Sequence, residues 1–502
     1  MESLHCVTTE NGPWPFGLAV SIPFIFSALL LLKSIYRLFF HPLSKFPGPK
    51  MAAITKLYES YHHTYKGDWP ENLARLHATY GDLIRIGPNE LHCMDHEWIL
   101  KHHRRPDMKK CTNYYGTLNH LIGGLHQPQA HNERKSLIQP LFAGKSLASY
   151  AEVLNHYLDL LHERFVAEMG KNDKVNTTHI IWAYTTDIMV SYIIGKETEY
   201  LKSDDLESVH HATRAFSATD LATTMRTMPP VNRTFKLIPS LRSYSPLGWL
   251  DEIMRTNIRG TAPETEKTRR DTSVLARMYG QLGDEKLTVE EAAQAVFIGN
   301  ESLLSNLTFL LHFLIHSPDC VKKLRQELDT LELGLFGHRV WRDPRVLQLP
   351  YLDAVCREST RLSAPGWHRQ PRQIDEPLEW RGSVIPAMTS VSFTLSFMGS
   401  DPNMHQEAHK FDPERWLGKD PRVQQTKRSA APFGTGTRTC LGQHIANQVL
   451  RKTVAAMIYN FDMSLWNSQQ DETEGYRYLD TYPQKGREGI LYLRVMNRFR
   501  EV

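Results

Sequence analysis

One cysteine in a glycine-rich loop stands out as the residue of this chain best placed to do chemistry. Cys440 lies in the stretch Pro432-Phe433-Gly434-Thr435-Gly436-Thr437-Arg438-Thr439-Cys440-Leu441-Gly442. The glycines permit a tight, irregular backbone. A helix follows at once, with Ile445, Val449, Leu450, Val454, Met457 and Ile458 on its apolar side. Cys440 is therefore expected at a helix N-terminus, two residues after a guanidinium, and both features favour the thiolate. A thiolate so placed can serve as a nucleophile or as a metal ligand. The remaining cysteines, Cys6, Cys93, Cys111, Cys320 and Cys356, are scattered and form no CxxC pair, and Cys93 with His96 makes a lone CxxH. Neither a disulfide framework nor a structural zinc site is expected from them.

A second place for chemistry is the middle of a long apolar helix. Periodicity predicts that helix over 288–316, with Thr288 and Glu291 as a capping box and Ser317-Pro318 as its stop. From Leu303 to Ile315 the segment is apolar almost all round, so it must be buried. Its centre nevertheless reads Ile298-Gly299-Asn300-Glu301-Ser302. A mid-helix glycine costs ~1 kcal/mol relative to alanine, and a buried glutamate costs more unless paired. Such a centre is either a functional interruption or a polar contact satisfied by a neighbouring helix.

The elements that must position these residues are mostly helices. Apolar residues recur at helical spacing over 146–169, 179–195, 288–316, 319–332, 350–362 and 441–461. Strand-like runs are short: Leu83–Ile86, Leu91–Cys93, Ser390–Ser396 and Gly489–Val495. The expected class is mainly α with a minor β part, in one large domain over 51–502. Hydrophobic residues make up 41% and charged residues 23% of the 502, which excludes a disordered, collagenous or coiled-coil chain. The net charge of +4 is too small for a nucleic-acid-binding face.

The N-terminus has a character of its own. From Asn11 to Leu32 there is no charged residue. A transmembrane anchor is expected over 14–32, behind a short lumenal tail at 1–13, since about 20 apolar residues span the hydrocarbon core. Lys33, Arg37, Lys45 and Lys50 follow the span while Glu2 and Glu10 precede it, which places the body on the cytosolic side. Residues 33–50 form a basic hinge stiffened by Pro42, Pro47 and Pro49.

The cysteine loop resembles the heme-binding signature of the cytochrome P-450 monooxygenases, whose five fixed places are filled by Phe433, Gly436, Arg438, Cys440 and Gly442. Glu358-Ser359-Thr360-Arg361 and the segment Phe411 to Trp416, with Arg415, match two further family motifs in the right order. The stretches from His41 to Pro49 and Tyr80 to Arg85 are most similar to fungal microsomal members of secondary metabolism. The resemblance implies the cytochrome P-450 fold and heme b, with Cys440 as the axial ligand of its iron. It implies Arg438, Arg372, His131 and Lys135 near the heme propionates, the last with Lys where the family has Arg. Glu358, Arg361 and Arg415 become a structural triad behind the heme.

Glu301 and Ser302 become the proton-handling pair, with Ser302 in place of the usual threonine and Leu303 after it. Phe297, Ile298, Glu301, Ala364, Trp367, His368 and Tyr482 become pocket residues, whose apolar bias suits a terpenoid or similar skeleton. The implied reaction is insertion of one oxygen atom from dioxygen into a small apolar substrate. The alternatives are desaturation, rearrangement or ring closure on the same heme, and a non-enzymatic heme-binding membrane protein. The chain has no Gly-rich dinucleotide loop followed by an acidic residue, and no flavin signature. Its implied electron donor is therefore NADPH–cytochrome P-450 reductase, with cytochrome b5 as a second candidate, at the endoplasmic reticulum membrane.

Overall fold

The structure is a computed structural model that describes residues 14–116, 118–143, 145–171, 174–206, 273–332, 337–363, 369–466 and 491–499. All six helical segments read from periodicity are present, with ends within three residues of those expected. The helix Thr177–Ile194 is buried at every residue, is capped by the Asn176 side chain and ends at Gly195 in the left-handed region. It packs along the long helix, Glu285–Ile315, whose Leu303, Leu307, Leu310, Leu311 and Leu314 enter the main core.

The long helix starts one turn earlier than expected. Asp284 is its N-cap and accepts from Leu287 N at 2.9 Å. Thr288 and Glu291 are therefore no capping box: Thr288 already lies inside the helix, donating to the Asp284 carbonyl, and the Glu291 carboxylate turns to a different segment. Proline stops the helix where expected, and a new one runs Pro318–Asp329.

A five-stranded sheet orders the rest: Leu83–Gly87, Glu90–Cys93, Ser390–Ser392, Arg372–Gln373 and Lys109–Lys110, side by side. Only the pairing of Glu90–Cys93 with Ser390–Ser392 is parallel. The run expected as a strand over Ser390–Ser396 stops at Ser392 and turns into the short helix Leu395–Gly399. Gly399 there lies against the Arg361 backbone, where a Cβ would come within 2.2 Å of the Arg361 carbonyl oxygen. The last expected strand is Tyr492–Asn497; residues 489 and 490 lie outside the described residues.

The N-terminal helix Trp14–Ile35 continues as a wider turn over Tyr36–Phe40, so the apolar helix runs past the expected end at Leu32. It is long and apolar enough to cross a membrane, and Pro23–Phe40 is not buried against the body. Lys33 and Arg37 fall within it, and Arg37 Nη1 donates to the Ile54 carbonyl. The proline-rich segment that follows is packed rather than loose. Leu43 and Phe46 enter a core cluster with Leu83 and Leu91. Arg85 N donates to the Pro47 carbonyl at 2.6 Å, and at Gly48 a Cβ would meet the Arg85 carbonyl oxygen at 2.3 Å. Only glycine permits that approach.

Candidate active site

The cysteine loop is built by its own backbone. Gly434 and Gly436 take φ of 74° and 71°, values that suit glycine. Cys440 N donates to the Phe433 carbonyl at 2.9 Å, which closes the loop and gives Phe433 its place. A single 3-10 turn, Gly436–Arg438, precedes the cysteine, and the helix Gln443–Asn460 follows with Gly442 as its N-cap. A Cβ at Gly442 would stand 4.0 Å from Cys440 Sγ, at ordinary contact distance, so Gly442 borders the sulfur. Cys440 is exposed, whereas Cys93, Cys111 and Cys356 are buried. The surrounding protein still pushes its thiol up, against the pull of the Gly442 and Gln443 N–H groups and of Lys135. The helix N–H groups pull as expected, but the cation that acts is Lys135 rather than Arg438, and together they do not outweigh desolvation, so the thiolate is not favoured by the protein alone. A bound metal would favour it, because a coordinating thiol is deprotonated outright.

Beside the loop the fold gathers cations. The strand register sets Lys110 directly opposite Arg372. Like charges facing across a sheet destabilise it. Arg438 lies close to both, and burial together with Arg372 brings its guanidinium down to about 10. Lys110 is held well below its ordinary value by burial, Arg372 and Arg438. Among the described residues no carboxylate pairs with any of the three. Arg372 donates to the Tyr115 hydroxyl at 3.3 Å and to Gln370 at 3.2 Å, and Arg438 Nη1 is buried with no partner. His131 is buried near Arg438, and burial with that charge brings its imidazole to about 4. His103 Nε2 is likewise buried and unpartnered.

This is a site for a buried dianion lying next to a thiolate. It fits heme b, whose propionates would neutralise the cations while its iron takes the sulfur. Arg438, Arg372 and His131 are brought together as expected. Lys135 lies beside them: its Nζ donates to the Thr437 carbonyl at 2.7 Å, and its charge acts on Cys440. Lys110, Tyr115 and His103 were missed. Their signal is the strand pairing, which no local pattern carries.

The long helix carries the second group of candidate residues. Ile298 is 50% exposed, and Phe297, Glu301 and Ser302 are half-buried. Asn300 turns the other way and accepts from Thr185 Oγ1 at 2.6 Å. Gly299 faces the same neighbour, since a Cβ there would overlap the end of the Met189 side chain at 2.3 Å. The polar centre therefore splits. Gly299 and Asn300 are helix contacts, and Glu301 and Ser302 are half-buried on another side of the helix. Ala364, Trp367, His368 and Tyr482 lie outside the described residues.

Glu358, Arg361 and Arg415 meet as expected. Arg361 forks onto Glu358 at 2.9 and 2.7 Å, and Arg415 Nε donates to Glu358 Oε1 at 2.7 Å. Trp416 Nε1 and Asp412 N complete the shell at 2.8 and 3.0 Å. Burial pushes the Glu358 carboxyl up, but Arg361 and Arg415 more than reverse this, leaving it below its ordinary value. A second buried network was not foreseen. Arg369 binds Glu59 and Glu90, each at 2.8 Å, and stacks over the Tyr114 ring at 4.7 Å.

A model of the cytochrome P-450 family matches residues 61–479. The chain is 27% identical to the cytochrome P-450 monooxygenase pbrB of Penicillium brasilianum, over 96% of this chain and 98% of that one. It is 26% identical to a conidiogenone synthase of Penicillium rubens, over 88% and 92% of the two chains. It is 25% identical to the tryptophan 6-hydroxylase fscE of Fusarium equiseti, over 95% and 96%.

Proposed function

The chain belongs to the cytochrome P-450 family, and from that premise we propose that it oxygenates a small apolar intermediate, terpenoid or of similar skeleton, in fungal secondary metabolism. Members of the family are thiolate-ligated heme enzymes that incorporate oxygen from dioxygen, and this chain is one of them. The observation that carries the reading is the exposed Cys440 beside three crowded cations, the buried Arg372 and the half-buried Lys110 and Arg438, that pair with no carboxylate among the described residues. Bound heme supplies the iron that activates dioxygen, aided by electron density from the sulfur. The protein's part is to hold Cys440 in its closed loop, to neutralise the propionates with Arg438 and Arg372 while His131 donates a hydrogen bond to them, and to exclude water with the apolar wall at Phe297 and Ile298. Ser302 positions a proton at its Oγ, and Glu301 feeds it. Electrons come from NADPH–cytochrome P-450 reductase, with cytochrome b5 as an auxiliary donor.

Reconstitution with that reductase tests the reading. The expected product is heavier than substrate by one oxygen atom; a product of unchanged or lower mass favours rearrangement, ring closure or desaturation instead. In the same assay Ser302→Ala is expected to bind substrate and consume NADPH as before. Its product yield falls, since positioned proton transfer contributes ~10²–10⁴-fold, and hydrogen peroxide accumulates instead. Coupling equal to the parent's removes Ser302 from the mechanism.

The proposed location is the endoplasmic reticulum membrane, crossed once by residues 14–32 with a tail at 1–13 on the lumenal side. The segment 33–50 then links the span to a cytosolic catalytic domain at 51–502. Deleting residues 1–32 is expected to move most of the protein from the membrane pellet to the supernatant with its ferrous carbon monoxide spectrum intact. Leu43 and Phe46 stay in place in that variant. Loss of the spectrum would assign the helix to the core.

A further inference from the structure

The carboxylate of Glu291 holds a loop rather than a helix end. Both of its oxygens accept from Ile122 N, at 2.9 and 3.1 Å, and Arg134 Nη1 donates to it at 2.6 Å. Its side chain is 1% exposed, so this is no solvent-screened surface pair. One turn on, Gln294 Oε1 accepts from Gly123 N at 3.1 Å. The fit there is close, since a Cβ at Gly123 would lie 2.6 Å from that oxygen. Glu290 adds a contact with His120 at 2.9 Å. Three side chains of the long helix thus hold residues 120–123 by backbone and ring.

The other side of the same loop is tied to the cation cluster. Lys110 Nζ donates to the Gly123 carbonyl, His126 Nδ1 donates to the Lys110 carbonyl, and Arg438 Nη2 donates to the His126 carbonyl at 3.4 Å. The loop at 118–126 therefore bridges the long helix and the cation cluster. Its attachment also lies on the chemical face of the helix. Glu291, Gln294 and Ile298 follow at steps of three and four residues, and Glu301 and Ser302 lie three and four beyond Ile298, which puts them in one stripe. Ten residues separate Glu291 from Glu301, or ~15 Å along the axis.

We propose that Glu291 and Gln294 are positioning residues that latch the 118–126 loop across the edge of the active site, and that this latch sets how fast small ligands reach the heme. The proposal rests on the heme-thiolate reading of the site. Releasing the latch frees backbone N–H groups that are otherwise paired, so the loop opens more often, while Cys440 stays in its own closed loop.

Imidazole binding to the ferric holoenzyme, followed by stopped flow, measures the opening without knowledge of the substrate. Glu291→Ala is expected to raise the imidazole on-rate about tenfold, the scale of one lost charge-assisted hydrogen bond. Hydrogen exchange should quicken over 118–126 and not in the cysteine loop. Glu291→Gln should fall between parent and Glu291→Ala, because an amide oxygen still accepts from Ile122 N but loses the charge facing Arg134. Gln294→Ala should move the on-rate in the same direction by less. If Glu291→Ala does not fold, the two milder variants decide the matter. An unchanged on-rate in variants that keep a full ferrous carbon monoxide spectrum overturns the latch, even if exchange in the loop quickens. A parent protein lacking that spectrum overturns the heme-thiolate reading instead.

Discussion

Cys440→Ser is expected to abolish the thiolate-type ferrous carbon monoxide spectrum and all turnover, while the polypeptide still folds. The change is one atom, and the loop that holds it is built from backbone: Cys440 N still reaches the Phe433 carbonyl, and Gly434 and Gly436 keep their turns. What is lost is the soft, readily ionised sulfur, which a hydroxyl does not replace as an anionic iron ligand. The other described cysteines offer no rescue. Burial pushes the Cys93 and Cys356 thiols up to about 12, and Cys320 is raised by half-burial beside Tyr351. Serine at Cys93, Cys111, Cys320 or Cys356 should leave the spectrum in place. A thiolate spectrum surviving in Cys440→Ser would refute the ligand assignment.

Glu358→Ala is expected to be the most destabilising single change behind the site. The side chains of Glu358 and Arg361 are both 0% exposed, and Arg415 is nearly so. Breaking a buried pair by removing one partner costs ~3–5 kcal/mol, because the remaining charge is left uncompensated. That is a large part of a typical stability of ~5–15 kcal/mol. Urea unfolding of the holoenzyme, followed by far-ultraviolet circular dichroism and by heme absorbance, should show the loss in both signals. Glu358→Gln should retain some of the hydrogen bonds and fall between. Acid should act on the same group. Its folded-state pKa lies below the unfolded value of about 4.3. The stability it contributes is therefore complete above that value and is lost as pH falls through the lower folded one. A Glu358→Ala protein as stable as the parent would mean that the network does not hold the core.

Much of this was legible in the sequence because it is local or periodic. The cysteine loop is one contiguous stretch, and Glu358 and Arg361 share a helix turn. The burial of the long helix follows from its apolar run. What the sequence did not disclose depends on pairing between distant segments. Lys110 joins the site only because its strand is in register with Arg372. Glu59, Glu90 and Arg369 come from three separate elements, and nothing local to any of them announces the others. The capping-box reading of Thr288 and Glu291 failed for the same reason. A suitable local pattern was present, but Asp284 capped the helix and a loop far away in sequence took the carboxylate.

The unneutralised Lys110, Arg372 and Arg438 also bear on how the polypeptide reaches its native state. Three crowded cations, one buried and two half-buried, raise the free energy of the fold, and a dianion that joins them offsets this. A group that binds the native chain and not the unfolded one stabilises it in proportion to the logarithm of its free concentration. The yield of native protein from a living cell is thereby coupled to the supply of porphyrin during synthesis. When iron or porphyrin precursors run short, nascent chains should be diverted toward chaperones and proteases rather than accumulate as intact apoprotein.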